Sequence, residues 1–294
     1  MRPSTRRKLW RRGAALLLAL GLLYAGLAVY KAIWYTTTPP QAFGSTSPAD
    51  AGLAYEEISF ASATGDGVTL RGWWIPNPAS RRAIVIAHAR YGNRAGYLKL
   101  LRPLWDAGYN LLLFDFRGHG QSDRDYCTWG IREQWDVVAA AEQARARGME
   151  RIGVFGESLG GASALMAQSK TDAIQAVASD SAYADAEPLL ARNALKPGLI
   201  LALLLVRGID LDDVSPERAM AALGSRPALL IHGEADNAVP LDQARRLVAA
   251  GGPSAEAWFI PGLGHTQAMP ALGDEYPRRL VAFFDAALGA RPPR

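Results

Sequence analysis

The chain has 294 residues, 49% of them hydrophobic and 20% charged, and a formal net charge of +4. That balance excludes a largely disordered chain. The excess charge is confined to residues 1–12, which hold Arg2, Arg6, Arg7, Lys8, Arg11 and Arg12 and no acid; the remainder has 26 Lys+Arg against 28 Asp+Glu, a net −2. A nucleic-acid-binding surface spread over the body would need clustered cations there, so none is expected.

Residues 13–30, GAALLLALGLLYAGLAVY, form an uncharged apolar run interrupted only by Lys31 before Ala32-Ile33-Trp34-Tyr35. A spanning helix needs roughly 20 such residues. Lys31 lies near enough to the end to snorkel. Trp10 precedes the run, and Tyr30, Trp34 and Tyr35 end it, as in an interfacial aromatic belt. Residues 1–35 therefore read as a basic N-terminus and transmembrane anchor. The positive-inside rule places residues 1–12 in the cytoplasm and the body on the extracytoplasmic side. Two rival readings exist. One is a signal peptide cleaved near Gly26-Leu27-Ala28, releasing a secreted body. The other is a buried core helix. Residues 36–54, rich in Pro, Ser and Thr, read as a flexible linker.

The body, residues 55–290, alternates strands and helices. Residues 55–61 and 68–75 are strand-like and joined by Thr64-Gly65-Asp66-Gly67, a hairpin signal. Unalternating apolar runs follow at 83–88, 110–115, 151–155, 174–179 and 227–232, with a weaker sixth at 255–260. Such runs suit strands buried on both faces of a parallel sheet. Helix-period stretches at 95–107, 130–147, 159–169, 241–250 and 275–288 separate or follow them. The expected fold is α/β, an open, doubly wound, mostly parallel sheet with an antiparallel edge. The gap between 180 and 226 breaks the rhythm; residues 183–223, containing LILALLLV at 199–206, read as a helical lid insertion. Its apolar helix is too short to span a membrane. It can line a pocket, touch the bilayer or serve as ordinary core.

Gly156-Glu157-Ser158-Leu159-Gly160 is G-x-S-x-G, placed where a buried strand ends and a helix begins. That turn lifts a serine hydroxyl clear of the sheet at a helix N-terminus, and glycines two positions away avoid a clash. The bland reading is a tight turn with a serine cap. A base should follow an acid further along the chain. Of His88, His119, His232 and His265, only His265 lies far enough beyond a candidate acid, in Pro261-Gly262-Leu263-Gly264-His265. The acid belongs on the loop after 227–232, which offers Glu234 and Asp236. Asp236 is preferred because it lies further into the loop, with Glu234 left as a solvated carboxylate.

The elbow GESLGG, the segment Asp115–Ser122 (DFRGHGQS), the loop HGEADNAVP and the GLGH around His265 together resemble the α/β-hydrolase superfamily over roughly residues 55–288. Within it, the chain is most similar to the serine aminopeptidase-like branch, including members with an N-terminal membrane helix. That branch holds esterases, lipases, thioesterases and peptidases. The resemblance implies Ser158 as nucleophile, Asp236 as orienting acid and His265 as base. It implies oxyanion amides at Leu159 and, in the loop after 83–88, at Arg90. That loop departs from the family's His-Gly-x: it reads His88-Ala89-Arg90, with alanine for glycine.

Arg90 and Arg94 read as surface charges, with a substrate carboxylate or phosphate as their alternative role. His88, His119 and His232 read as structural. The single cysteine, Cys127, excludes a disulfide and a cysteine-based zinc cluster. Neither a histidine pair at metal-binding spacing nor a dinucleotide fingerprint is present, so no cofactor is expected. The expected activity is acyl-enzyme hydrolysis of an ester, thioester or amide in a small-molecule or lipid-like substrate. Peptidase activity, a different reaction on the same triad, or a binding role on the same fold are the alternatives.

Overall fold

The computed structural model describes residues 3–38, 44–186, 190 and 193–290. Parts of the expected linker (39–43) and insertion (187–189, 191 and 192) lie outside the described residues, as do Met1, Arg2 and residues 291–294.

Eight strands form one sheet in the order β1-β2-β4-β3-β5-β6-β7-β8. Strands β1 (Glu56–Ala61) and β2 (Thr69–Ile75) form the antiparallel hairpin, and β2 pairs antiparallel with β4 (Asn110–Asp115). The other pairings, through β3 (Arg82–Ala87), β5 (Arg151–Glu157), β6 (Ala176–Asp180), β7 (Ala228–Gly233) and β8 (Ala255–Ile260), are parallel. The fold is thus the expected doubly wound, mostly parallel α/β sheet.

The unalternating runs have a simple cause. Along β3, Val85 faces one layer of helices while Ile84 and Ile86 face the other, and all three are fully or almost fully buried. Val85, Leu112 and Val154 pack under α3 (Glu133–Ala146) and α4 (Leu159–Gln168). On the opposite face Ile84, Leu113 and Phe155 pack against α2 (Leu98–Asp106) and the C-terminal α9 (Glu275–Leu288). Edge strand β8 is exposed at Glu256 and Ala257. An edge strand that is less covered than the inner strands needs fewer apolar residues, which explains its weak signal.

The N-terminal helix α1 runs unbroken over Pro3–Thr36. Its segment Trp10–Thr36 is long and apolar enough to cross a membrane. Leu17, Leu18 and Leu22 are each more than 60% exposed, which rules out the buried core helix.

The last turns of α1 pack on the insertion. Its helix α5 (Lys196–Arg207) places Leu199, Ala202 and Leu203 against Ala28 and Ala32. A tether was expected from residue 36, yet the chain stays docked there. The Thr36 carbonyl accepts the Cys127 N–H at 2.8 Å, and Thr38 Oγ1 donates to the Gly118 carbonyl at 2.7 Å. A short helix, α6 (Pro216–Ala221), completes the described insertion. Helices α7 (Leu241–Gly251) and α8 (Ala268–Leu272) follow β7 and β8.

Candidate active site

Ser158 sits between β5 and α4 with φ 51° and ψ −111°, a conformation that a non-glycine residue rarely adopts. Close packing holds it there. A side chain at Gly156 would run into the Gly160 backbone, and one at Gly160 would run into the Ala87 and His88 carbonyls. Gly156 is thus required by its contact with the first turn of α4, and Gly160 by the contact of α4 with the end of β3. The Ser158 N–H donates to the Asp180 carbonyl at 2.7 Å.

Three distant residues meet at this turn. Ser158 Oγ lies 3.0 Å from His265 Nε2, and His265 Nδ1 lies 2.7 Å from Asp236 Oδ2. Asp236 is buried, and its Oδ1 accepts the Ala238 and Val239 N–H groups, each at 2.8 Å. Glu234 is exposed and is not part of this chain of contacts. The Thr266 N–H donates to Ser181 Oγ at 3.1 Å, which fixes the loop beside His265. Ser181 follows β6 directly.

Ser158 and His265 line a cavity of about 330 Å³ together with Ala89, Arg90, Tyr91, Trp129, Leu159, Tyr183 and Val239. Leu159 is the first residue of α4, so its N–H has no preceding helical turn to donate to. Arg90 borders the same space. A roomier cavity of about 420 Å³ lies in the insertion, lined by Asp185, Glu217, Arg218 and Arg246, but none of the three meeting side chains borders it. Among the described residues no cluster of three or more His, Cys, Asp or Glu is placed to hold a metal ion.

Arg90 and Arg94 are not surface charges. The Arg90 guanidinium lies 4.1 Å from the Trp129 ring centroid and 4.3 Å from that of Tyr91, and it donates to the Tyr35 carbonyl at the end of α1. Arg94 is buried on Asp115, which accepts its Nη1 at 2.5 Å and its backbone N–H at 2.9 Å. That pair ties the loop after β3 to the end of β4. Burial pushes the Asp115 carboxyl upward despite the arginine. The left-handed residue in the loop is Tyr91 (φ 63°), not Ala89, so the alanine stands where no glycine conformation is required.

The remaining histidines are buried and structural. His88 Nδ1 donates to the Ala89 carbonyl at 2.8 Å, and its Nε2 accepts the Phe116 N–H at 3.0 Å, which defines a neutral tautomer. Burial pushes His88 down to about 4. His119 is likewise pushed down to about 4, by burial and then by His88. His232 Nε2 donates to the Val239 carbonyl at 2.8 Å.

Tyr97 and Asp180 carry no motif, and both matter here. Tyr97 Oη accepts the Ala89 N–H at 2.9 Å and donates to Glu157 Oε2 at 2.7 Å. It links the loop after β3 to the elbow. Asp180 Oδ2 accepts the Tyr276 hydroxyl at 2.7 Å, beneath the serine. In the sequence Tyr97 falls in the helix-period stretch 95–107 and Asp180 just beyond the strand-like run 174–179, and neither position carries a local signal.

The family model for the alpha/beta hydrolase fold matches residues 82–199. YfhR of Escherichia coli O157:H7 is 31% identical over 245 residues, which cover 79% of this chain and 81% of that protein. The chain belongs to the α/β-hydrolase family. A Saccharomyces cerevisiae protein named as a membrane protein, YNL320W, is 28% identical over 127 residues, covering 42% of this chain and 44% of its own. The Pyrococcus furiosus esterase Pf2001 superposes with a TM-score of 0.73 at 24% identity, over 86% of this chain and all of that one. At that identity the likeness concerns the fold.

Proposed function

We propose that the protein is a membrane-anchored serine hydrolase that cleaves an acyl ester, thioester or amide through an acyl-enzyme on Ser158. One observation carries this reading: the continuous contact from Ser158 Oγ to His265 Nε2 (3.0 Å) and from His265 Nδ1 to Asp236 Oδ2 (2.7 Å), at a strained strand-to-helix turn. In the reaction His265 Nε2 takes the Ser158 hydroxyl proton as Oγ attacks the carbonyl carbon. The carbonyl π electrons move onto oxygen, where the Leu159 and Arg90 N–H groups stabilise the charge. Asp236 holds the Nδ1–H tautomer and stabilises the imidazolium without taking its proton. His265 then protonates the leaving group. Water, deprotonated by His265, attacks the acyl-enzyme, and its collapse restores Ser158.

The cavity favours an apolar acyl group. Its walls include the aromatic rings of Tyr91, Trp129 and Tyr183. The nearest arginine charge, on Arg90, is already engaged by two rings and a carbonyl.

The N-terminal helix serves as a retained anchor in this reading. Cleavage after Ala28 would strip Tyr24 and Ala28 from α5, where both are in contact. The cationic residues before it support a cytoplasmic N-terminus and an extracytoplasmic catalytic body by the positive-inside rule. A topology reporter fused after residue 294 gives an extracytoplasmic signal if this is right and a cytoplasmic one if it is wrong.

The activity is tested with p-nitrophenyl esters of increasing chain length alongside aminoacyl and peptide amides, using wild type and Ser158→Ala. Turnover lost in Ser158→Ala supports the reading. Turnover retained by that variant contradicts it.

A further inference from the structure

Helix α5 is apolar on every side. Its inner face, Leu199, Ala202 and Leu203, is buried against α1. Its outer face is also apolar: Leu201, Leu204 and Leu205 are 55%, 47% and 74% exposed. A helix on the surface of a water-soluble domain keeps a polar outer face. Charge occurs only at the two ends, and Lys196 borders the polar cavity within the insertion.

The position of α5 along α1 identifies what covers that face. At one end the Gly198 N–H donates to Tyr24 Oη at 3.0 Å, and a side chain at Gly198 would strike the Tyr24 ring. At the other end Arg207 Nε donates to Thr36 Oγ1 at 3.0 Å. The helices therefore run side by side, in the same direction, over roughly 18 Å of α1. Tyr24 belongs to the uncharged run 13–30. Keeping that run in hydrocarbon places Gly198 about 9 Å deeper than Tyr30. The membrane helix thus carries α5 into the leaflet, apolar face outward. The candidate active-site cavity adjoins the same region, because its wall residue Arg90 is bonded to the Tyr35 carbonyl of α1.

We propose that α5 is embedded in the leaflet nearest the catalytic domain, and that the acyl substrate enters from that leaflet rather than from solution. The substrate class is an amphiphilic long-chain ester resident in the bilayer. This entry route rests on the hydrolase reading; the embedding of α5 does not.

The test uses the full chain reconstituted in phosphatidylcholine vesicles. A bimane label is placed at Leu201→Cys, which lies deeper than Tyr30 on the exposed face of α5, at Leu20→Cys within α1, and at Asp172→Cys on the exposed body; Cys127 is fully buried and leaves wild type as the unlabelled control. Acyl-brominated lipid should quench the labels at 201 and 20 and spare the label at 172. Quenching at 20 without quenching at 201 overturns the embedding, as does cross-linking of 201 to a second copy. Absence of quenching at 20 overturns the anchor beneath it.

The entry route is read separately. Leu201→Glu/Leu205→Glu should lower turnover of vesicle-embedded 4-methylumbelliferyl oleate about tenfold or more while sparing the soluble acetate ester. Equal loss on both esters, or loss on neither, contradicts entry from the leaflet. If wild type cleaves neither ester, the hydrolase reading and the entry route fail together, and the quenching still decides the position of α5.

Discussion

Tyr97 Oη donates to Glu157 Oε2 at 2.7 Å, one residue before the elbow serine, and accepts the Ala89 N–H at 2.9 Å. A single buried hydroxyl thus couples the loop that holds the proposed Arg90 oxyanion amide to the turn that holds Ser158. Tyr97→Phe keeps the ring and removes the link. The Ala89 N–H is then left unsatisfied, at a cost of about 1–3 kcal/mol. Steady-state kinetics should show kcat reduced roughly tenfold with KM little changed, because an oxyanion donor acts mainly in the transition state. A lowered unfolding temperature with unchanged kcat would reduce Tyr97 to a packing role.

Asp236 and Glu234 provide an internal comparison, two residues apart on one loop. Asp236→Asn disturbs the Nδ1–H tautomer of His265 and should lower kcat by about 10³–10⁴-fold. Glu234→Gln alters an exposed carboxylate and should leave kcat within about twofold, since surface changes away from such features have small effects. A large loss in Glu234→Gln with a small one in Asp236→Asn would reverse the assignment.

Arg94 and Asp115 are both fully buried and paired at 2.5 Å. Arg94→Met leaves the Asp115 carboxyl without its counter-charge, and chemical denaturation should show a loss of about 3–5 kcal/mol. Adding Asp115→Asn should recover part of it. Additive losses in the double variant would contradict the coupling.

Glu157 and the two buried histidines set opposing pH dependences. Burial pushes His88 and His119 down to about 4, below their ordinary 6.5. Their contribution is present above pH 6.5 and is lost as pH falls toward 4. Burial pushes Glu157 up to about 7 from 4.5. Its contribution is present below pH 4.5 and is lost as pH rises through 7. Glu157→Gln should therefore lose stability on acidification more steeply than wild type, since one of the groups opposing the histidines is gone. The difference between the two proteins should change by about 3 kcal/mol between pH 4.5 and 8 in urea titrations. A difference that does not vary with pH would contradict the buried carboxyl.

Much of this fold was readable because of how its strands are covered. The two-sided burial of Ile84, Val85 and Ile86 produces a run that periodicity detects directly. The edge strand β8, partly exposed at Glu256 and Ala257, carries only a weak signal for the same reason. Ser158 and His265 stood out through local chemistry, since few residues can occupy an elbow or a Gly-rich loop after the last strand. Arg90 and Arg94 look like surface charges in the sequence because Trp129 and Asp115, which engage them, lie far along the chain. Tyr97 could not be distinguished from core, since a phenol in an amphipathic stretch looks apolar until Ala89 and Glu157 are seen around it. The packing of α5 on α1 was likewise invisible. It joins Gly198 to Tyr24 across 174 residues.

The central claim is that Ser158 is the nucleophile, and fluorophosphonate labelling with peptide mapping tests it most directly. Wild type should gain one covalent adduct, located on Ser158, and Ser158→Ala should gain none. An adduct on another residue, or equal labelling of both proteins, would contradict the account.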